Sequence, residues 1–95
     1  MTAKLRPHDP TRYLETDQDI AEFLDAVLED GDPATIADSI GIVARARSMT
    51  QLARETGLSR ESLYRALNRE GNPELATIMK VLGALGVRLR ATVAA

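Results

Sequence analysis

The stretch from residue 51 to residue 67, QLARETGLSRESLYRAL, constrains the fold of this chain more than any other part of it. Ala53 lies four residues before Gly57, so a small side chain is available where two helices touch and a glycine can end the first helix in a left-handed conformation. Ser59 is a preferred N-cap for a second helix, and Leu63 is placed to pack back onto the first. The spacing predicts two short helices that cross steeply through a turn of three or four residues.

Apolar residues recur at three- and four-residue spacing before this stretch, which indicates amphipathic helices. The first helix is predicted to have Asp17 as its N-cap and to end at Gly31. Its apolar face consists of Ile20, Phe23, Leu24, Val27 and Leu28. A second helix is predicted to open at Asp32-Pro33. Its apolar face consists of Ile36, Ile40, Val43 and Ala44.

Two further helix starts are marked by their capping residues. Ser48 and Gln51 have the spacing of a capping box, in which each side chain accepts a hydrogen bond from the backbone N–H of the other residue. Asn72-Pro73 predicts the start of the last helix, because proline fits the first helical position, and Gly86 is expected to close it. The apolar face of this last helix consists of Leu75, Ile78, Met79, Leu82 and Leu85.

The tail from residue 87 to residue 93, VRLRATV, alternates apolar and polar residues, which predicts a short C-terminal β-strand. A strand without a neighbour leaves its backbone donors and acceptors unpaired. We therefore expect either that it pairs with the same strand of a second copy, or that the tail lies on its own domain or frays. The residues of the predicted dimer strand are Val87, Leu89, Ala91 and Val93.

The composition predicts one small all-α domain. The chain has 95 residues, of which 44% are apolar and only 3% aromatic, so aliphatic side chains must fill its core. We assign residues 17–95 to this domain and residues 1–16 to a partly ordered lead-in. The chain has no cysteine, which excludes disulfides and thiolate metal sites. Because neither a signal peptide nor a membrane-spanning stretch is evident, we expect a cytoplasmic protein.

The stretches TQLARETGLSRESLYRAL and GNPELATIMKVLGALGVRL resemble those of a known family. The first resembles the helix-turn-helix of the phage-repressor (Xre-like) group. Together they are similar to the addiction-module antidote family, the antitoxins paired with small RelE-like toxins, from about Arg6 to Val93 and most densely from Met49 to Leu89. The resemblance implies a five-helix, phage-repressor-like domain that binds and represses its own operator and neutralises a toxin. Met49 stands where the repressors usually have a glutamine, so the DNA contact of that glutamine is not carried over.

The outward face of the second motif helix holds the candidate base-reading residues, because Leu63, Ala66 and Leu67 are expected to point inward. The candidates are Ser59, Arg60, Glu61, Ser62, Tyr64 and Arg65. The N-terminal part of a recognition helix reaches base edges in the major groove, where a bidentate arginine discriminates guanine by about 1–3 kcal/mol. The alternative is a solvated helix face on which Glu61 and Arg65, four residues apart, simply pair.

Phosphate neutralisation must supply the non-specific part of any DNA affinity. Residues 39–95 carry nine bases against four acids, which suits this role. The candidate phosphate contacts are Arg45, Arg47, Ser48, Thr50, Arg54 and Arg69, with Lys80 as a further base. Arg88 and Arg90 share one face of the predicted strand, where they either reach DNA or border a dimer contact.

Residues 1–38 carry ten acids against three bases, so the net charge of −2 averages two oppositely charged halves. This asymmetry indicates two surfaces with different partners. The candidate toxin-binding residues are Asp19, Glu22, Asp25, Glu29 and Asp30. An acidic surface attracts a basic partner, and the resemblance implies one, because RelE-like toxins are basic.

No catalytic residue, cofactor or metal site is predicted. His8 is the only histidine and lies beside Pro7 in the lead-in, and the sequence has no glycine-rich phosphate loop. We therefore do not expect an enzyme. Two alternatives to the antitoxin stay open: a stand-alone prophage-type transcriptional repressor, and a helical protein–protein adaptor that does not bind DNA.

Overall fold

Local capping residues set where most of the helices begin. In the computed structural model, which describes residues 14–95, the helices are α1 (Asp17–Asp30), α2 (Pro33–Arg47), α3 (Met49–Thr56), α4 (Arg60–Ala66) and α5 (Leu75–Ala84). The side chains that cap the first four are Thr16, Asp32, Ser48 and Ser59. The all-α, five-helix prediction is confirmed for this part of the chain. The predicted lead-in, including His8, lies outside the described residues from its start to residue 13.

Two helix starts differ from the sequence prediction. Thr16, not Asp17, caps α1, because a full capping box forms one residue earlier: the Thr16 hydroxyl accepts from the Asp19 N–H at 3.0 Å, and the Asp19 carboxylate accepts from the Thr16 N–H at 3.1 Å. The last helix begins at Leu75, after the predicted start at Asn72-Pro73. Asn72 has a φ of 45°, a left-handed conformation that keeps the chain out of the helix at that point.

An aliphatic core holds the helices together. Its buried members are Leu14, Ile20, Leu24, Ile40, Val43, Ala44, Met49, Leu52, Leu63, Leu67, Val81, Leu82 and Leu85. Leu14, assigned to the lead-in by sequence, is part of this core. The sequence predicts Leu28, Leu75 and Met79 on the apolar faces of their helices, but these side chains are 40%, 69% and 48% exposed. On α5 the buried face is rotated relative to the predicted one, because Val81 and Leu82 take the buried positions.

At Gly41 the backbone of α2 touches the end of α4. A β-carbon at Gly41 would lie 2.1 Å from the carbonyl oxygen of Leu67, far inside van der Waals contact. Both residues are buried. A glycine is therefore required for the two backbones to approach this closely, and the contact fixes the position of the end of α4 against the middle of α2.

The predicted C-terminal strand is absent. Residues 87–95 have no regular secondary structure, and no strand occurs anywhere in the range 14–95. Val87 and Leu89 are half-buried against the helical core, and the Val87 N–H donates to the Leu82 carbonyl at 2.9 Å. Ala91 and Val93 are exposed. The alternation of the tail therefore reflects packing of Val87 and Leu89 on the helices of its own domain, which is one of the two arrangements expected from the sequence.

Candidate functional site

The connection between α3 and α4 consists of Gly57, Leu58 and Ser59. Gly57 has a φ of 77°, a conformation that disfavours a β-carbon, and its N–H donates to the Ala53 carbonyl at 3.0 Å. Leu58 is half-buried against the core. The Ser59 hydroxyl accepts from the Ser62 N–H at 3.0 Å and caps α4. The end of α3 and the start of α4 thus lie where the sequence predicts them.

Two polar side chains fix the ends of α3 and α4 through hydrogen bonds that the sequence did not indicate. Thr56 donates its hydroxyl hydrogen to the Leu52 carbonyl at 2.7 Å and accepts from the Leu58 N–H at 3.3 Å. Asn68 donates to the carbonyls of Tyr64 and Arg65 at 2.9 and 3.0 Å, which satisfies acceptors at the end of α4. The sequence signal that could have indicated these hydrogen bonds is a hydroxyl or amide side chain next to a predicted helix end.

The outward face of α4 carries most of the candidate base-reading side chains. Ser59, Arg60, Glu61, Tyr64 and Arg65 are exposed, and Ser62 is half-buried. The opposite face is anchored by Leu63 and Leu67, which are both 0% exposed. The Arg60 guanidinium lies 5.7 Å from the centre of the Tyr64 ring, within cation–π range. Glu61 and Arg65 form no ion pair with each other or with other described residues, so mutual pairing does not account for this cluster.

The start of α3 forms only half of its predicted capping box. The Ser48 hydroxyl accepts from the Gln51 N–H at 3.1 Å, as expected. The Gln51 side-chain amide, however, donates to Glu55 at 3.0 Å instead of returning to the backbone of Ser48. An amide and a carboxylate four residues apart on one helix are natural partners, and this pair prevails here.

The candidate phosphate contacts do not share one environment, because most lie on α3 or next to its start, whereas Arg69 lies in the loop after α4. Arg45, Arg47, Thr50, Arg54 and Arg69 are exposed, and Ser48 is half-buried. Arg47, in the last turn of α2, is paired with Asp17 at 2.5 Å. Arg69, in the loop after α4, lies 3.8 Å from Asp32 and donates to the Thr35 hydroxyl at 3.3 Å. Two of the arginines are therefore already in contact with carboxylates.

The candidate toxin-binding acids of α1 differ in the work they do within the fold. Asp19 belongs to the capping box of α1 and thus has a structural role. Asp25, Glu29 and Asp30 are exposed and make no side-chain hydrogen bond in the described part of the chain. Glu29 and Asp30 occupy the last turn of α1, where the helix dipole is negative and no base accompanies them. Folding alone does not favour acids at these two positions.

A groove of about 490 Å³ runs between α1, α5 and the tail. Its α1 side carries Glu22, Asp25 and Leu28, and apolar side chains of α2 and α5 also line it. The tail contributes Arg88 and Arg90 to the same groove. Two candidate toxin-binding acids therefore share a groove with the two arginines of the tail, an arrangement that the sequence did not indicate.

Asp32 links the turn between α1 and α2 to the loop after α4. Its carboxylate accepts from the Thr35 hydroxyl at 2.7 Å and from the Thr35 N–H at 2.9 Å. These hydrogen bonds, first from the hydroxyl and then from the backbone, lower the pKa of Asp32 below its ordinary value, and the nearby charge of Arg69 acts in the same direction. Asp32 is therefore a carboxylate held in its ionised form.

The described residues, 14–95, contain no group of histidine, cysteine, aspartate and glutamate side chains that could hold a metal ion. No helix in the same range combines the length and the apolar character needed to cross a membrane. In class, this is a small all-helical protein whose candidate sites are surfaces suited to macromolecular partners.

The chain belongs to a family described as probable addiction module antidote proteins, whose model matches residues 4–93. It is 40% identical over 90 residues to an uncharacterized protein of Haemophilus influenzae, and the match covers 95% of this chain and 93% of that protein. No solved structure matches the chain. An antidote implies a toxin partner, and this is not a family of enzymes. The predictions of an antidote and of a non-enzyme are confirmed at this level.

Proposed function

We propose that the protein is the antitoxin of a type II toxin–antitoxin module. In this proposal α3 and α4 form a phage-repressor-like helix-turn-helix that binds the operator of its own operon and represses it. The acidic surface of α1 binds and neutralises a RelE-like toxin. The observation that carries the DNA part is the two-sided character of α4, which has Leu63 and Leu67 fully buried while Arg60 and Arg65 are exposed on its outer side.

The exposed start of α4 is suited to enter the major groove of DNA. Arg60 lies in its first turn, from which recognition helices contact base edges. The ring of Tyr64 beneath the Arg60 guanidinium restricts the conformations of that side chain before binding, which lowers the entropy lost on contact. Arg54 on α3 is exposed and supplies positive charge for the phosphate backbone.

The test compares DNA from upstream of the protein's own gene with a scrambled duplex of the same composition, by fluorescence anisotropy over a range of salt concentrations. The double variant Arg60→Ala/Arg65→Ala should lose operator affinity by about 1–3 kcal/mol per base contact and lose its preference over scrambled DNA. The matched control, Arg54→Ala, should weaken binding to both duplexes equally and reduce the salt slope by about 0.9. A double variant that keeps its operator preference would contradict base reading by α4.

The acidic surface of α1 supports the toxin part of the proposal. Glu29 and Asp30 lie in the last turn of α1, where acids are unfavourable by about 0.3–1 kcal/mol each. We expect acids to be retained at such unfavourable positions where their charges contribute to binding a partner. Together with Asp25 they provide exposed negative charge that would speed the encounter with a basic protein and define its orientation.

This part is tested by co-purification and calorimetry with the product of the neighbouring gene. Reversal of three acids, Asp25→Lys/Glu29→Lys/Asp30→Lys, should slow association and weaken the complex. The matched control reverses three exposed acids away from α1, Glu55→Lys/Glu70→Lys/Glu74→Lys, and should leave the complex nearly unchanged. Equal effects of the two triple variants would show that only net charge matters, and the proposed docking surface would be wrong.

We further propose that the protein binds DNA as a homodimer, through an interface other than a C-terminal strand. Leu75 and Met79, one helical turn apart on α5, are 69% and 48% exposed and form an apolar pair that a second copy would cover. A two-fold dimer would then present its two α4 helices to half-sites about 34 Å apart. Sedimentation equilibrium of Leu75→Ser/Met79→Ser tests this interface, and a dimer that persists in the variant refutes it.

A further inference from the structure

We propose that Asp17 and Asp32 restrain two DNA-facing arginines, so that DNA phosphates must displace these carboxylates from Arg47 and Arg69. The inference rests on the proposed DNA-binding function and adds a control on its strength. Asp17 and Asp32 would act as positioning residues of the DNA surface, although both belong to the acidic half of the chain.

The first restraint joins the start of α1 to the end of α2. The Arg47 Nη2 atom lies 2.5 Å from the Asp17 Oδ1 atom, across a separation of 30 residues. Arg47 immediately precedes Ser48, which caps α3, so a guanidinium released from Asp17 could turn towards a phosphate at the start of that helix. Asp17 therefore holds a charge that the DNA backbone needs.

The second restraint joins the turn before α2 to the loop after α4. Arg69 reaches Asp32 with one nitrogen, at 3.8 Å, and the Thr35 hydroxyl with another, at 3.3 Å. Asp32 is itself fixed by capping α2 and by accepting from Thr35. The Arg69 guanidinium is thereby drawn towards the acidic half of the molecule.

Both pairs can be exchanged for a phosphate. The side chains of Arg47 and Asp17 are 36% and 69% exposed, and those of Arg69 and Asp32 are 57% and 48% exposed. Exposed ion pairs contribute little to stability, so a phosphate can replace the carboxylate at small cost. Between residues 14 and 95 these are the ion pairs that form, and each links an acid of the first half to a base of the second. Both ion pairs therefore hold an arginine of the basic half against a carboxylate of the acidic half, which restrains that arginine before DNA binds.

The test uses substitutions that remove the charge and keep the shape. Asp17→Asn and Asp32→Asn should each raise DNA affinity by about 1.5- to 5-fold, the worth of an exposed ion pair. The gain should appear with operator and scrambled DNA alike. The slope of the logarithm of the DNA-binding constant against the logarithm of salt concentration should steepen by up to about 0.9 per freed arginine. Asparagine is a good N-cap, so Asp32→Asn preserves the start of α2. The matched control is Asp25→Asn, which removes one charge from α1 where no arginine is paired.

A double-mutant cycle then isolates the restraint from general repulsion. Arg47→Ala in the Asp17→Asn background should abolish the gain, because no arginine is left to release. If Asp17→Asn and Asp32→Asn gain no more than Asp25→Asn, the effect is net charge alone and the restraint is refuted. If the wild-type protein prefers its operator normally while the cycle shows no coupling, only this inference fails. If the wild-type protein binds no DNA at all, the proposed function fails with it.

Discussion

The packing of α2 against the end of α4 makes a strong prediction for Gly41. Alanine is a better helix former than glycine by about 1 kcal/mol, so a purely local argument predicts that Gly41→Ala stabilises the protein. The structure predicts the opposite. The new β-carbon would lie 2.1 Å from the Leu67 carbonyl oxygen, whereas ordinary contacts begin near 3.4 Å, so the backbones must separate by more than an ångström.

The size of the effect follows from the two opposing contributions. Overpacking a tight core costs about 1–3 kcal/mol and occasionally more, and the clash at Gly41 is with backbone that cannot rotate away. Leu67 is fully buried and ends α4, so its displacement also disturbs the packing of Leu63. Because the clash is with backbone, we take the upper end of this range, and after subtracting the helix-propensity gain of about 1 kcal/mol we expect a net loss of about 2 kcal/mol, which lowers the Tm by about 10 °C.

Urea unfolding followed by far-ultraviolet circular dichroism measures this difference directly. Gly83→Ala is the matched control, because Gly83 is also a helical glycine, is exposed, and has no atom within 4 Å of the position of its β-carbon. That variant should gain about 0.5–1 kcal/mol. The reasoning is refuted if Gly41→Ala is as stable as the wild type or more stable, since the backbone contact between α2 and α4 would then not exist.

Three further predictions concern the ends of the helices. Asp30→Lys should stabilise the free protein by about 0.5 kcal/mol in urea unfolding, because it replaces an acid by a base in the last turn of α1. Thr16→Ala should destabilise it by about 1 kcal/mol through loss of the capping box with Asp19, measured in the same way. Asp32→Asn should lower stability near neutral pH. Because the pKa of Asp32 is lowered from 3.8, the contribution of its carboxylate to folding stability is complete above pH 3.8 and is lost as the pH falls through the lowered pKa. The urea-unfolding curves of the variant and the wild type should therefore converge in acid.

The sequence was sufficient for those features that depend on neighbouring residues. Glycines at positions 31 and 57 end α1 and α3 as predicted, each with positive φ, and Ser59 caps α4 as predicted. A helix end is a local event, in which a few backbone groups lose their partners and a nearby side chain or glycine resolves the loss. The burial of Leu63 likewise follows from helical periodicity.

Features that depend on distant parts of the chain could not be read in this way. Gly41 looks like a weak helix residue in the sequence, and only the approach of Leu67 explains it. The tail from residue 87 has the alternation of a strand, yet Val87 and Leu89 pack on helices. Periodicity indicates which apolar side chains share a face of the chain, but it does not reveal whether that face packs against a strand, against a helix or faces solvent.

The charged surfaces lead to a prediction about how the proposed DNA and toxin sites would be coupled. The acids of α1 that would receive a basic partner lie between Asp17 and Asp32, which hold Arg47 and Arg69. A base of the partner that approaches either carboxylate competes with the arginine and releases it to DNA. Toxin binding should therefore raise DNA affinity, and by thermodynamic reciprocity DNA should raise toxin affinity equally, by at most about 5-fold per pair. In Asp17→Asn/Asp32→Asn the arginines are already free, so anisotropy titrations with and without toxin should show this coupling only in the wild type, and its persistence in the variant would place its origin elsewhere.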